Sequence, residues 1–241
     1  MKKAAGILIL VSFHAVAQTA AARRPETARD ERERPEVLFV SFVLDDVQKT
    51  WDRILPAQKN IPYHHARLVL YRNSIASPCG KASMATGPFY CPGDEKVYLD
   101  LEFFNELKRK LGAPGDFAQA YVIAHEIGHH VQKLLGIEGR VRRVREGEPR
   151  EANPLSVKLE LQADCFAGIW AHTTAQRKIV NQTDVNAAMR AAAAVGDDRL
   201  QRMGRGYVNP ETFTHGTSAQ RETWFRRGLD RGEIAACDTF R

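Results

Sequence analysis

Two histidines four residues apart, His125 and His129, carry the clearest chemical signal in the 241-residue chain. On a helix this spacing places both imidazoles on one face, about 6 Å apart along the axis, so that they can bind one metal ion. Glu126 lies one position further round and can reach a water molecule at the metal without being a ligand. The His-Glu-x-x-His pattern therefore predicts two zinc ligands and a general base.

A catalytic zinc ion also needs a third protein ligand and an open coordination position. Glu160 and Asp164 form a second pair with helical spacing, further along the chain. We expect Glu160 to be the third ligand, and Asp164 to accept a hydrogen bond from the free ring N–H of His125. The alternative for Glu160, a surface carboxylate, does not suit its position in an otherwise apolar helix.

The other histidines are weaker candidates. His130 points away from the metal by one helical step, and His64–His65 lies in a proline-flanked loop. His215 precedes a predicted helix, where its N–H could stabilise the oxyanion of a tetrahedral intermediate. Tyr207 is a competing donor, and the alternative for His215 is a capping or surface role.

Apolar periodicity and helix-breaking residues predict a helix-rich α+β fold, with a small strand region before the active-site helix. Glycine-, proline- and charge-rich segments predict a loop or hairpin over 74–94 and an exposed loop over 138–151. Strands are predicted over 67–71 and 96–99, and helices over 37–55, 101–111, 116–135, 153–170, 183–196 and 217–232.

The N-terminus has the pattern of a secretory signal peptide: a basic start, an apolar run over 4–13 and small residues over 15–17. The apolar run is shorter than the roughly 20 residues of a membrane-spanning helix. The alternative is an uncleaved anchor that tethers the protein to a membrane. We therefore divide the chain into a signal peptide or anchor (1–22), a charged linker (23–36) and a catalytic domain (37–241).

Four cysteines in a chain with an export signal predict disulfides and a periplasmic or extracellular location. Three pairings are available to Cys79, Cys91, Cys165 and Cys237. Cys79 and Cys91 flank a turn and are the expected pair, with Cys165–Cys237 following by elimination. The net charge of +6 is mild, and no basic-aromatic module indicates a nucleic-acid partner.

The sequence resembles the bacterial neutral zinc metallopeptidases, a family of exported or membrane-anchored proteins. The matching segments are 79–100, 117–135, 159–171, 195–201 and 214–225. Glu160 and Asp164 are also similar to the Glu-x-x-x-Asp segment of the CAAX prenyl proteases, whose Glu ligates zinc and whose Asp supports it. His215 and Arg221 loosely resemble the late His and Arg of that group. The resemblance implies a zincin-like fold and leaves the substrate open.

Together these observations predict a zinc metallopeptidase, a hydrolase that binds one Zn²⁺ per chain and cleaves a protein or peptide substrate. We expect the strand near Val97 to bind that substrate by edge addition. The alternatives are a non-catalytic, zinc-stabilised envelope protein and a metal-dependent cell-wall amidase. Glu126 argues against the first, because a structural zinc site needs a fourth ligand and no general base. No oligomeric state is indicated.

Overall fold

Helices dominate the part of the chain that the computed structural model describes, which comprises residues 28–83, 87–109 and 115–241. Helix α1 begins in a separate N-terminal unit that ends at Pro35, and Glu36–Arg241 forms a unit of its own. The predicted signal peptide or anchor lies outside the described residues. The helices are α1 (Ala28–Lys59), α2 (Leu101–Arg109), α3 (Asp116–Leu134), α4 (Ile137–Gly147), α5 (Ala152–Gln176), α6 (Gln182–Ala194), α7 (Asp197–Arg205) and α8 (Ser218–Arg231).

The strands form two small sheets. They are β1 (Arg67–Tyr71), β2 (Ser74–Ser77), β3 (Gly80–Ser83), β4 (Phe89–Cys91) and β5 (Lys96–Asp100). In the larger sheet β5 lies between β1, to which it is parallel, and β4, to which it is antiparallel. Strands β2 and β3 form an antiparallel hairpin. The predicted helix-rich α+β architecture is confirmed.

The position of β5 corrects one prediction. Val97 lies on the central strand, where Leu68 and Tyr90 are its partners on either side. Both edges of β5 are therefore used in the sheet, and substrate cannot add to it as a further strand.

Helix α1 contributes one apolar face to the core. Trp51 is fully buried and meets the ring of Phe166 on α5 edge-on, with 5.4 Å between the ring centroids. The helix continues past Pro56 to Lys59. Pro56 lacks one backbone N–H and lies in the last turn, so that few residues follow the hydrogen bond it removes. The buried residues of the face are those whose spacing predicted the helix: Val40, Val43, Leu44, Val47, Trp51 and Leu55.

Several helix limits differ from the sequence-based prediction. The charged segment predicted as a loop over 138–151 is largely helix α4, which buries Val141 beneath exposed arginines. Helix α7 is not predicted at all. Asp116 and Asn153 are not helix caps, since α3 begins after Gly115 and α5 after Glu151, each without a side-chain cap. Where capping residues and apolar spacing agree, as at Thr217 in α8, the prediction is confirmed.

Two close helix crossings position the functional residues. A Cβ atom added to Gly128 of α3 would lie 2.9 Å from the carbonyl oxygen of Ala163 on α5. A Cβ atom added to Gly228 of α8 would lie 1.9 Å from the carbonyl oxygen of Cys165 on α5. Glycine is therefore required at both positions for backbones to touch, and α5 is held directly against α3 and α8.

Two disulfides join parts of this unit. Cys79–Cys91 links the β2–β3 turn to the end of β4, and Cys165–Cys237 links α5 to the C-terminal segment. The pairing is the one expected from the sequence. Among the described helices, none combines the length and apolar character needed to cross a membrane.

Candidate metal centre

The close crossing of α3 and α5 brings His125, His129 and Glu160 together. One possible ligand atom from each residue lies within 4.8 Å of the other two. The Nε2 atom of His125 is 3.1 Å from one oxygen of Glu160, and the Nε2 atom of His129 is 3.4 Å from the other. The crossing of the two helices thus places two imidazole nitrogens next to one carboxylate.

The donor set suits zinc. Tetrahedral bonds of about 2.1 Å separate neighbouring ligand atoms by about 3.4 Å. The two nitrogen–oxygen distances, 3.1 and 3.4 Å, are close to this value. The opposite nitrogen of each ring is engaged elsewhere: Nδ1 of His125 lies 2.9 Å from Asp164, and Nδ1 of His129 lies 2.9 Å from Gln132. Both Nε2 atoms are therefore directed towards Glu160, which is the arrangement that a metal held by these three residues needs.

Asp164 is fully buried and lies at the centre of a polar network. One of its oxygens faces Nδ1 of His125 and also accepts hydrogen bonds from the Tyr121 hydroxyl and Nη2 of Arg221, the latter at 2.9 Å. Its other oxygen accepts from Nε of Arg221 at 2.8 Å. Burial raises the pKa of Asp164, but Arg221 and His125 outweigh this effect and hold the pKa below its ordinary value. The carboxylate therefore stays ionised and can orient the ring of His125, as carboxylates do for metal-binding histidines in proteins.

The role of Arg221 is much clearer in the structure than in the sequence. Arg221 is 3% exposed, and the close crossing of α8 over α5 places its guanidinium beside Asp164. Burial lowers the pKa of Arg221, but Asp164 and Tyr121 outweigh this effect. The pKa of Arg221 is therefore well above its ordinary value. A permanent positive charge thus balances Asp164 in the interior.

The charged side chains of the cluster shift one another's pKa values. Burial opposes protonation of His125, but Asp164 and Glu160 outweigh it and raise the pKa of His125 to about 10. Burial likewise raises the pKa of Glu160, and the two histidines overcome this and hold it well below the ordinary value. A metal ion that binds here must therefore displace a proton from the imidazoles, and its affinity should rise with pH.

Glu126 lies outside the ligand cluster, on the same helix. It is 6% exposed, and burial raises its pKa above the ordinary value. The structure thus places this carboxylate in the interior beside the site, with its neighbour His125 in the cluster.

His215 lies in the loop before α8, and Asp197 at the start of α7 holds that loop. One oxygen of Asp197 accepts backbone N–H bonds from Thr214, His215 and Gly216 at 2.7, 2.6 and 3.1 Å. The other oxygen is 3.2 Å from Nδ1 of His215, whose side chain is 49% exposed. This bond to Asp197 raises the pKa of His215. Asp197 was not predicted as a functional residue, because an Asp in a first helical turn ordinarily stabilises the helix dipole.

The remaining candidates are not brought into the cluster. Tyr207 is 62% exposed beyond α7 and has no hydrogen bond to the described site residues. His130 is fully buried, with its ring nitrogens against the Tyr90 hydroxyl and the backbone carbonyl of His64. His65 pairs with Asp52 on the surface.

Comparison with known proteins agrees with this geometry. The family model described as "Putative neutral zinc metallopeptidase" matches residues 5–240. The chain is 50% identical to "Uncharacterized protein YpfJ" of Escherichia coli (strain K12) over 203 residues, which cover 84% of this chain and 70% of the relative. It is 42% identical to "Uncharacterized protein Rv2575" of Mycobacterium tuberculosis (strain ATCC 25618 / H37Rv) over 207 residues, 81% of this chain and 68% of the relative.

No solved structure matches the chain significantly. The fold class therefore rests on the family match and on the helix-rich α+β architecture, which together support the zincin-like assignment. With three side chains on two crossing helices that could hold a metal ion, and a family model that covers nearly its whole length, the chain belongs to the putative neutral zinc metallopeptidase family.

Proposed function

We propose that the protein is a zinc-dependent metallopeptidase in which His125, His129 and Glu160 hold one zinc ion. The observation that carries the proposal is the convergence of these three side chains, with His125 oriented by the buried Asp164. Zinc bound there would polarise the scissile carbonyl of a peptide and activate a water molecule for attack.

Glu126 is proposed as the general base. It follows the first ligand on α3, is buried beside the cluster and is not needed as a ligand itself. One carboxylate oxygen of Glu126 takes the proton of the attacking water and then passes it to the nitrogen of the leaving amine. A site that only stabilised the fold would have no use for this carboxylate.

His215 is proposed to stabilise the oxyanion. Its Nδ1 atom faces Asp197, so that Nε2 is left to donate to the developing negative charge. Asp197 fixes both the ring and the backbone around it. The proposed oxyanion donor thus lies on a loop that the Asp197 carboxylate attaches to α7.

The two disulfides support an oxidising, exported compartment. We propose that the protein acts in the periplasm or outside the cell, with residues 1–22 as its signal peptide or anchor. N-terminal sequencing of the purified native protein distinguishes cleavage from retention. An uncleaved protein in the cytosolic fraction would contradict export.

Replacement of the general base tests the proposed function. Glu126→Gln should retain zinc and lower the rate of peptide cleavage by at least about 10²-fold, because the amide cannot take the proton. Zinc content and cleavage of a peptide library are measured on the same preparations. Glu146→Gln, which changes an exposed carboxylate on α4, is the matched control and should leave both values unchanged.

Two results would contradict this function. Full peptidase activity in Glu126→Gln protein would exclude the proposed base. Absence of bound zinc in the wild-type protein would exclude the metal centre itself. If purified cell wall were cleaved and unfolded protein were not, the reaction class would change to that of a cell-wall amidase.

A further inference from the structure

Gln132 lies one helical turn after His129 on α3 and is 1% exposed. Its side-chain oxygen Oε1 lies 2.9 Å from Nδ1 of His129. A buried amide in contact with a metal-binding imidazole has to be satisfied in a single orientation, since each unpaired polar group in the interior costs about 1–3 kcal/mol.

The other contacts of Gln132 determine that orientation. Its Nε2 group donates to the backbone carbonyl of Leu159 at 2.7 Å and to Oε1 of Gln162 at 3.2 Å. The Nε2 group of Gln162 donates in turn to the backbone carbonyl of Cys237 at 2.9 Å. Carbonyl oxygens only accept hydrogen bonds, so both amides must direct their NH₂ groups towards the carbonyls.

This polarity reaches the metal centre. Because Oε1 of Gln132 can only accept, Nδ1 of His129 must carry a hydrogen, and Nε2, which faces Glu160, is the nitrogen left for a metal ion. Leu159, whose carbonyl anchors Gln132, immediately precedes Glu160 in the chain. One amide therefore contacts the second histidine ligand and also the backbone beside the carboxylate ligand.

We propose that Gln132 is a positioning residue, which fixes the ring and tautomer of His129 for metal binding through an amide relay anchored at Leu159 and Cys237. The inference rests on the proposed zinc site and deepens it. The two histidines are thus oriented by different chemistry: His125 by the charged Asp164, and His129 by a neutral amide.

The relay also connects the C-terminal segment to the site, through the hydrogen bond from Gln162 to the Cys237 carbonyl. Cys237 is fully buried and is joined to Cys165 of α5 by a disulfide. Its carbonyl is thereby held where Gln162 can reach it. The last turn of the chain, far from His129 in sequence, is therefore the outer anchor of the hydrogen bonds that orient this ligand.

The test compares two buried amides of the same relay. Gln132→Met removes the acceptor at His129, whereas Gln162→Met removes the outer anchor and leaves the Gln132–His129 contact in place. Zinc affinity, measured by competition with a chromophoric chelator, should fall about 10–100-fold in Gln132→Met and less than about threefold in Gln162→Met. Thermal unfolding of the metal-free proteins reports any general loss of packing.

A second readout follows the imidazole directly. In ¹⁵N-labelled protein, the Nδ1–H signal of His129 should exchange slowly with solvent in the wild type and in Gln162→Met, and rapidly in Gln132→Met. This signal can be measured with or without zinc. The wild-type measurement alone already tests whether Nδ1 of His129 is hydrogen-bonded. Rapid exchange in the wild type, or equal loss of zinc affinity in the two variants, would overturn the proposed role of Gln132. A wild-type protein that shows the protected signal but binds no zinc would instead contradict the proposed function.

Discussion

At the scale of single residues, the candidate metal centre contains buried charges that are paired with charges of opposite sign. Asp164 is paired with Arg221, and the pKa values of Asp164 and Glu160 are both lowered despite their burial. Removal of one member would leave its partner charged and desolvated, which costs more than the pair contributes. Replacements that keep shape but change charge are therefore the informative ones at this site.

Asp197 allows a test of the loop that carries His215. Asp197→Ala should lower the free energy of unfolding by about 2 kcal/mol near pH 5, since a charged acceptor of three backbone N–H groups is lost. Burial raises the pKa of Asp197, but His215 and the backbone N–H of Thr214 outweigh this effect and lower the pKa. Its contribution is therefore present above the unfolded pKa of about 3.9 and is lost as the pH falls through the lower, folded value.

The partner shows the opposite dependence. The raised pKa of His215 means that its contribution is present below about pH 6.5 and is lost as the pH rises through the folded value. Chemical denaturation from pH 3 to 9 should thus show the largest difference between wild type and Asp197→Ala between about pH 4 and 6.5. His215→Ala should abolish only the decrease at high pH. A difference that does not vary with pH would contradict the ion pair.

At the scale of secondary structure, the site depends on how closely α5 packs against its neighbours. Gly128 lies against Ala163, and Gly228 lies against the carbonyl of Cys165. These contacts place Glu160 opposite the histidines and Arg221 beside Asp164. The small residues at these crossings are therefore needed to assemble the candidate metal centre, although none of them can bind a metal.

Alanine substitutions measure this packing. Gly228→Ala should destabilise the protein by about 3 kcal/mol or more, because the new Cβ atom would lie 1.9 Å from a backbone oxygen that cannot move alone. Gly204→Ala on α7 is the matched control, since an added Cβ atom there meets nothing within 4 Å. It should be neutral or stabilising by up to about 1 kcal/mol through helix propensity. Equal unfolding free energies for the two variants would show that α5 and α8 are not in backbone contact.

At the scale of the whole described unit, the two disulfides join segments that are separated in sequence. Cys165–Cys237 spans a sequence separation of 72 residues, whereas Cys79–Cys91 spans 12. The longer loop restricts the unfolded chain more, and the C-terminal segment it secures supplies the outer anchor for Gln162.

Removing each disulfide separately should show how much each one contributes to stability. Changing Cys165 and Cys237 together to Ala should cost about 4 kcal/mol, and changing Cys79 and Cys91 together about 3 kcal/mol, on the basis of loop length. Zinc affinity should change by less than about threefold in both variants, as in Gln162→Met, because the contacts of Gln132 with His129 and with the Leu159 carbonyl do not involve a cysteine. Urea denaturation and chelator competition measure the two quantities. Equal losses of stability in the two variants would contradict the loop-length argument.

Local sequence determined the residues that face one another on a helix. His125 and His129 share a face, as do Glu160 and Asp164, because a spacing of four residues nearly completes one helical turn. The apolar face of α1, strand β1 and the capping box of α8 follow from the same short-range rules and are found in the structure. These features require no knowledge of distant contacts.

Only the tertiary structure decided what lies opposite those faces. Gln132 contacts residues of α5, Asp197 holds a loop beyond α7, and strand β5 lies in the centre of its sheet. Helices α4 and α7 were missed because both segments are short, rich in charge and contain glycine, and each buries only one residue, Val141 and Asp197 respectively. The spacing of residues determines which face of its own helix a side chain occupies. The residue that contacts that face comes from a distant segment, and tertiary packing brings it there without leaving a pattern in the local sequence.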